Sequence, residues 1–420
     1  MPQGQATVSV ASENDRRILR DLARRVAEIA SMEIQLHRTR QWRALNSLGP
    51  NRPMVLVNPE ASWQEIFPPG TCQIQDPLLG GWEWLLRSLI YRHDHIPDDT
   101  PITGTFNIPY AFSVSDWGLA QREIRSEQRG SCTWDAPLKE LSDIDKLRFR
   151  QWTIHYDETR RRLDLAQGLF GDILAVRLHG PLFGTLGLTR TLIYLRGLEQ
   201  SMLDMYDNPQ WLHRVMAFLR DGTLAELEYL QREGVLCLNN GPDDYISLGG
   251  NCSTDELPAP DFAGRVRLKD IWGWSEAQEF VSVSPEMFSE FALQYQVPVL
   301  QKFGLTSYGC CEPLDKRFDL LQAAIPNLRR VSVSPWCNRQ IAAEKLGRRY
   351  VYSWKPNPAL LAGPSFDEAQ IEADIRQTLE IAKGCCVEMC LKDTHTVCNQ
   401  PDRISRWTQI AARLAREYAY

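Results

Sequence analysis

Apolar positions in this chain recur first at helical spacing and then at strand spacing. Ile18, Leu22, Val26, Ile29 and Leu36 mark one face of an N-terminal helix, and Ser12 with Asp15 forms a capping box at its start. After Gly49-Pro50, "PMVLV" reads as a short strand, followed by a Pro/Gly-broken stretch from Asn58 to Thr71. From Asp172 onward the order becomes regular. "DILAVRLHG" is strand-like, and a long helix is expected from Pro209 to Glu233, closed by Gly234. "VLCLNN", "DYISLGG" and "EFVSVS" are further short apolar runs. Ser284-Pro285 then starts a helix that ends near Gly304. "LTSYGCC", "RRVSVS", "RRYVYSWKP" and "CCVEMCL" complete the strands, with helices between them. One of these helices is closed by Gly347, and another is opened by Ser365 and Glu368 as a capping box and ends at Gly384. A final helix carries Ile404, Trp407, Ala411, Leu414 and Tyr418 on one face.

Short β-rich runs alternating with helices mean parallel β/α units. Several such units in series, with no glycine-rich dinucleotide turn after the first strand, predict an α/β fold of the (β/α)8 TIM-barrel type. Residues 1–50 form an N-terminal helical extension and residues 51–420 the barrel. In such a barrel the reactive groups stand where strands end, at the C-terminal face. That rule selects Cys310 to Glu312, Ser334 to Cys337, Trp354 to Pro356 and Cys390 to His395.

Composition narrows the function classes. A net charge of -6 offers no basic face for nucleic acid. No apolar run approaches the ~20 residues that span a bilayer, and Met1 to Val10 lack the pattern of a secretion signal. The expectation is a cytoplasmic protein. Its eleven cysteines then read as reduced thiols or ligands rather than a disulfide framework.

The rim positions supply the candidate chemistry. Lys392, Asp393 and His395 would bring a cation, a carboxylate and a proton carrier together, or else form a surface ion pair beside a solvated histidine. Cys310, Cys311, Glu312 and Cys390 are candidate zinc ligands. Cys310 with Cys390, completed by Glu312 or His395, makes a three-ligand set with one open position. Alternation along a strand lets at most one of Cys310 and Cys311 face the centre, and buried unligated cysteines are the plainer alternative. Asp270, Trp272 and Trp274 are expected in a loop before a strand, where the two indoles would suit a flat or cationic ligand. Asp244 is a candidate acid or base. Arg177 and His179, at the end of an earlier strand, would grip a carboxylate.

The motifs "HGPLFG" (His179 to Gly184), "DNPQWLHRVMAFL" (Asp207 to Leu219), "SVSPEMFSEFALQY" (Ser282 to Tyr295), "YGCCEPLD" and "YSWKPNPALL" resemble the uroporphyrinogen decarboxylase superfamily. The resemblance covers roughly Arg52 to Tyr420 and implies a (β/α)8 barrel. True decarboxylases of this group carry an Arg-Gln-Ala-Gly-Arg-Tyr type motif, and "QWRALNSLGPNRP" has Arg43 and Arg52 without it. The methyltransferase branch holds zinc through a His-x-Cys after one late strand and a Cys after the last. Here "YGC" puts Tyr308 in the histidine position and Cys310 in the cysteine position, and "EMC" supplies Cys390. The resemblance therefore implies corrinoid-linked methyl transfer to or from a small-molecule substrate. The corrinoid would ride on a partner protein, and the barrels would pair as homodimers. The alternative is a metal-independent decarboxylase or lyase acting on a small carboxylate or tetrapyrrole. In it Arg177 and Lys355 grip the anion, and Asp244 or His395 donates the proton. A third reading is a barrel that binds a ligand without chemistry.

Overall fold

Eight parallel strands are present in the computed structural model, which describes residues 11–120, 122–125, 132–180, 185–246 and 250–419. They are β1 (Met54–Val57), β2 (Thr105–Pro109), β3 (Ala175–His179) and β4 (Trp272–Ser275), then β5 (Leu305–Tyr308), β6 (Leu328–Val333), β7 (Val351–Trp354) and β8 (Cys386–Leu391). Six of them form one sheet in the order β1-β8-β7-β6-β5-β4, and β2 pairs with β3 in a separate two-stranded sheet. The fold is thus mixed α/β with a six-stranded parallel sheet, and among the described residues the hydrogen bonds do not run round a closed eight-stranded ring.

The two breaks have local causes. At the free edge of β1 the ladder partner is replaced by side chains. The N–H of Val55 donates to Asp99 at 2.8 Å, the N–H of Val57 donates to Asp98 at 2.9 Å, and Arg92 donates to the Val57 carbonyl at 2.8 Å. An edge whose donors are already satisfied by carboxylates has none left for β2. At the other break, "VLCLNN" does not form the expected strand. Asn239 instead imitates one: its amide oxygen accepts from Trp272 N at 2.8 Å and its nitrogen donates to Trp272 O at 3.1 Å.

Side-chain alternation sorts the large sheet into two faces. Val55, Tyr308, Val331, Val333, Trp354, Met389 and Leu391 join the apolar cluster under the flanking helices. The opposite face carries Arg330, Ser353 and Glu388, all buried. Arg330 faces Glu388 at 3.1 Å, lies 5.1 Å from the centre of the Trp272 ring and donates to Asn46 at 2.7 Å. Asn46 ends the helix Glu33–Asn46, whose Trp42 packs with Leu56 and Cys390. The N-terminal helices therefore pack directly onto the sheet.

Other expectations shift by an element. The first helix stops at Ala30, where the Ser31 hydroxyl bonds back to the Glu28 carbonyl, and Leu36 in the next helix is exposed. Trp272 and Trp274 lie in β4, not in a loop, while "EFVSVS" is a helical turn at Gln278–Phe280. The helix Glu368–Ile381 is capped by Asp367, whose carboxylate accepts from Gln370 N at 3.0 Å, rather than by Ser365. The Pro209–Glu233 helix forms as expected, with Gly234 left-handed at its end. "DYISLGG" supplies a short pairing of Tyr245–Ile246 with Gly250–Asn251. Its residues 247–249, residues 181–184 of "HGPLFG" and residues 1–10 lie outside the described residues. Among the described residues no helix is long and apolar enough to cross a membrane.

Candidate active site

Of two polar clusters in the molecule, the one around His179 and Asp243 lines a cavity of about 630 Å³, within the usual range for a small-molecule pocket. Trp63, Leu85, Leu89, Leu236, Trp272 and Trp274 are among its apolar walls, and Asn58, Asn107, His179, Asn239 and Asp243 bring polar groups to it.

The first cluster stands just past β5 and β8. Lys392, only 2% exposed, places its Nζ 3.1 Å from Cys311 Sγ, 3.6 Å from Cys310 Sγ and 2.7 Å from Asp393 Oδ2. The two sulfurs are 3.5 Å apart, and Cys311 Sγ is 3.4 Å from Asp393 Oδ2. Both thiols reach one ammonium, contrary to the expectation that only one would face inward. Gly309 explains it. Its φ of +95° breaks the alternation of the strand, and a Cβ there would sit 2.8 Å from Leu314 and 3.0 Å from Ser332. The electrostatics separate the two sulfurs. The contact with the Cys310 sulfur pulls the Cys311 thiol below its ordinary pKa against burial, and Lys392 adds to that pull. Cys310, at the other end of the same contact and buried, is raised. The arrangement is two unequal sulfurs under one ammonium, with Cys311 the more readily ionised.

Glu312 does not face these sulfurs as a free ligand. Its carboxylate accepts from the N–H of Cys310 at 2.9 Å and of Ala277 at 3.1 Å, and burial raises its pKa. Cys390 sits on the inner face of β8 in the apolar cluster with Trp42, Met54 and Leu56, and burial pushes its thiol up to about 12. Among the described residues no group of three His, Cys, Asp or Glu side chains gathers as a metal site would need. A lysine ammonium already lies against the Cys310 and Cys311 sulfurs, and Cys390 packs in the apolar cluster of Trp42, Met54 and Leu56, so the residues present do not fit the expected zinc set. His395 is exposed on the rim.

The second cluster ends β3. His179 Nδ1 is 3.1 Å from the Gly180 carbonyl and Nε2 is 3.1 Å from Asp244 Oδ1. Both ring nitrogens meet acceptors, which only the imidazolium satisfies. The Asp244 hydrogen bond accordingly raises the His179 pKa against burial. Asp243 accepts a forked bond from Thr103 at 2.6 and 2.7 Å, and burial raises its pKa. Arg177 lies two residues before His179 on the same strand face, and its charge favours the ionised form of Asp243.

Three expected site residues fall elsewhere. Tyr308 faces the helices and donates to Gln296 at 2.7 Å. Asp270 precedes β4, at the end remote from the rim, and is locked to Arg267 at 2.8 Å. Lys355, 1% exposed, donates to Ser353 at 2.6 Å within the buried network of Arg330 and Glu388. Sequence reasoning missed Glu60, whose carboxylate accepts from Asp393 N at 2.9 Å, as well as Asn58, Asn107 and Thr103. The strand-end rule, applied to β1 as it was to the later strands, selects Asn58 and Glu60.

No family model matches the sequence, and no curated protein matches it. Among solved structures, a methyltransferase from Methanosarcina mazei matches with a TM-score of 0.46 and 11% identity, over 90% of this chain and 98% of that one. A likeness of that size carries no argument about chemistry, so the functional reading rests on the side chains.

Proposed function

We propose that the chain is a methyl-transfer enzyme whose reacting group is the Cys311 sulfur, and that its eight strands are those of a (β/α)8-type barrel opened at two joints. The observation that carries this reading is the single Lys392 ammonium 3.1 Å from Cys311 Sγ and 3.6 Å from Cys310 Sγ. A thiolate is the nucleophilic form of cysteine, and a neighbouring cation keeps it populated at neutral pH. The sulfur attacks the methyl carbon of a donor. An S–C bond forms, the bond from carbon to the leaving group breaks, and the electron pair departs with that group. Cys310 and Lys392 hold the thiolate before attack, and Asp393 keeps the ammonium in place. A corrinoid carried on a partner protein would supply the methyl carrier at the rim. No step is assigned to zinc.

Incubating the full chain with methylcobalamin as probe should add one methyl group to the peptide that holds Cys311, and Cys311→Ser should abolish the mark. Transfer that persists in Cys311→Ser would refute the reading. Elemental analysis of the purified chain should find far less than one zinc per chain. A full equivalent lost on Cys310→Ser would restore the zinc reading.

The His179 and Asp244 pair favours a second reading, a lyase acting on a small carboxylate. Arg177 would grip the anion, the C–C bond to the carboxylate would break with release of carbon dioxide, and the carbon would take its proton from His179. Carbon dioxide release that is lost in His179→Gln but kept in Cys311→Ser would establish this reading in place of the first.

A further inference from the structure

We propose that Cys310 and Cys311 form a two-point covalent site for a trivalent arsenical, with both sulfurs bridged by one arsenic atom. The proposal uses the same sulfurs as the methyl-transfer reading but does not depend on methyl transfer.

Geometry favours bridging over a direct bond. The sulfurs stand 3.5 Å apart. A disulfide requires them at about 2.05 Å with Cα atoms at least ~4.4 Å apart, whereas a trans peptide holds neighbouring Cα atoms at ~3.8 Å. Direct oxidation would strain the backbone next to Gly309, already left-handed at φ +95°. A third atom between the sulfurs removes that demand. The chain supplies its own comparison in its other adjacent pair. Cys385 packs on the helix side, its sulfur 3.7 Å from the Ala343 carbonyl, while Cys386 packs on the inner side with Trp42 and Met54. Those sulfurs lie on opposite faces of one strand start and cannot share an atom. The 310–311 pair shares a face because Gly309 turns the chain.

Access and charge also fit. Cys311 is half-buried at the rim while Cys310 is buried, so a reagent meets Cys311 first and the second sulfur closes the ring. With phenylarsine oxide as probe, the arsenic–oxygen bond breaks and two arsenic–sulfur bonds form. The two thiol protons leave with the oxygen as water. Arsenic stays trivalent and no oxidant is consumed.

The test is titration of the full chain with phenylarsine oxide, read by intact mass and by counting thiols under native conditions. One arsenical should bind per chain with the loss of two thiols. Excess 1,2-ethanedithiol should reverse it and an equal concentration of a monothiol should not. Cys310→Ser and Cys311→Ser should each weaken binding about 100-fold or more, as expected when a two-point attachment becomes one-point. The Cys385→Ser, Cys386→Ser double variant should bind like the parent. Peptide mapping of the parent adduct places the arsenic independently of how well any variant folds. Arsenic found on other cysteines, undiminished binding by Cys310→Ser, or removal by a monothiol would each overturn the proposal. Arsenic across residues 310 and 311 without a methyl mark on Cys311 would sink the methyl-transfer reading alone, and the converse result would sink this one alone.

Discussion

Replacing Lys392 by methionine removes the charge under the two sulfurs while keeping most of the buried stem. At 3.1 Å, and with an effective dielectric of ~20, the attraction between this ammonium and a thiolate is about 5 kcal/mol. Asp393 stands 3.4 Å from the same sulfur and repels the thiolate by a similar amount, a repulsion the ammonium now offsets. The variant therefore loses the attraction and keeps the repulsion. Both Cys311 and Asp393 reach the rim, so water screens the loss to about 2–3 kcal/mol, or roughly two pH units at ~1.4 kcal/mol per unit. The assay is the rate of alkylation of Cys311 by iodoacetamide as a function of pH, followed by peptide mass spectrometry. In the parent the inflection should lie below that of a free thiol. In Lys392→Met it should move up by about two units, and the rate at pH 7 should fall by up to roughly 100-fold. An inflection that stays within a few tenths of a unit of the parent would show that Lys392 does not hold the thiolate, and the methyl-transfer reading would lose its support.

Asp244→Asn removes the carboxylate that holds the His179 imidazolium, so the His179 pKa should fall, as read from imidazole NMR shifts; an unchanged value would refute the assignment. Glu276 is buried beside Glu279 and Glu312, and its carboxyl is pushed up to about 8, mainly by burial. The folded chain then keeps a proton that the unfolded chain releases, so stability should fall as pH rises from about 4.5 to about 8. Glu276→Gln should flatten that slope in urea titrations at pH 5 and pH 8, and an equal slope in both proteins would refute it. Asp99→Ala strips Val55 N of its acceptor and breaks two bonds from Arg52, at 2.6 and 2.9 Å. It should cost about 2–4 kcal/mol in urea unfolding, and a loss below ~0.5 kcal/mol would mean the edge of β1 is held by other means.

Strands buried on both faces were legible because each writes a short apolar run between turn residues. "PMVLV", "RRVSVS" and "CCVEMCL" became β1, β6 and β8. Whether the strands close into a ring was not legible, because closure at β1 is decided by Asp98 and Asp99, forty-odd positions away. Nothing in the period of "MVLV" reports that its N–H groups will bond to carboxylates. "VLCLNN" failed for a related reason: its apolar period is that of a strand, but the Asn239 side chain takes the Trp272 pairing that a backbone would otherwise make. "EFVSVS" shows the limit of alternation as a signal. Phe280 is buried by the helix layer while Val281 is exposed, so the alternation belongs to a turn that packs one ring.

The thiol cluster was half legible. Strand-end placement brought Cys310, Cys311, Lys392 and Asp393 to one rim, and the structure gathers those four. Which face each sulfur takes depends on a single backbone torsion at Gly309, and a period-two reading cannot carry a left-handed residue through the count. Cys390 failed for the opposite reason: alternation did hold there, turning it to the inner face two residues before Lys392, into the apolar packing of Trp42, Met54 and Leu56. A family-style ligand pattern transfers residue letters but not the burial around them. Here the position of a third metal ligand is filled by apolar packing, and the charge a metal would have supplied comes from Lys392. An ammonium can polarise sulfur but cannot accept a lone pair from a substrate. If this site moves a methyl group, the thiolate itself must make the bond, and loss of function on removing Cys311 should be complete rather than partial.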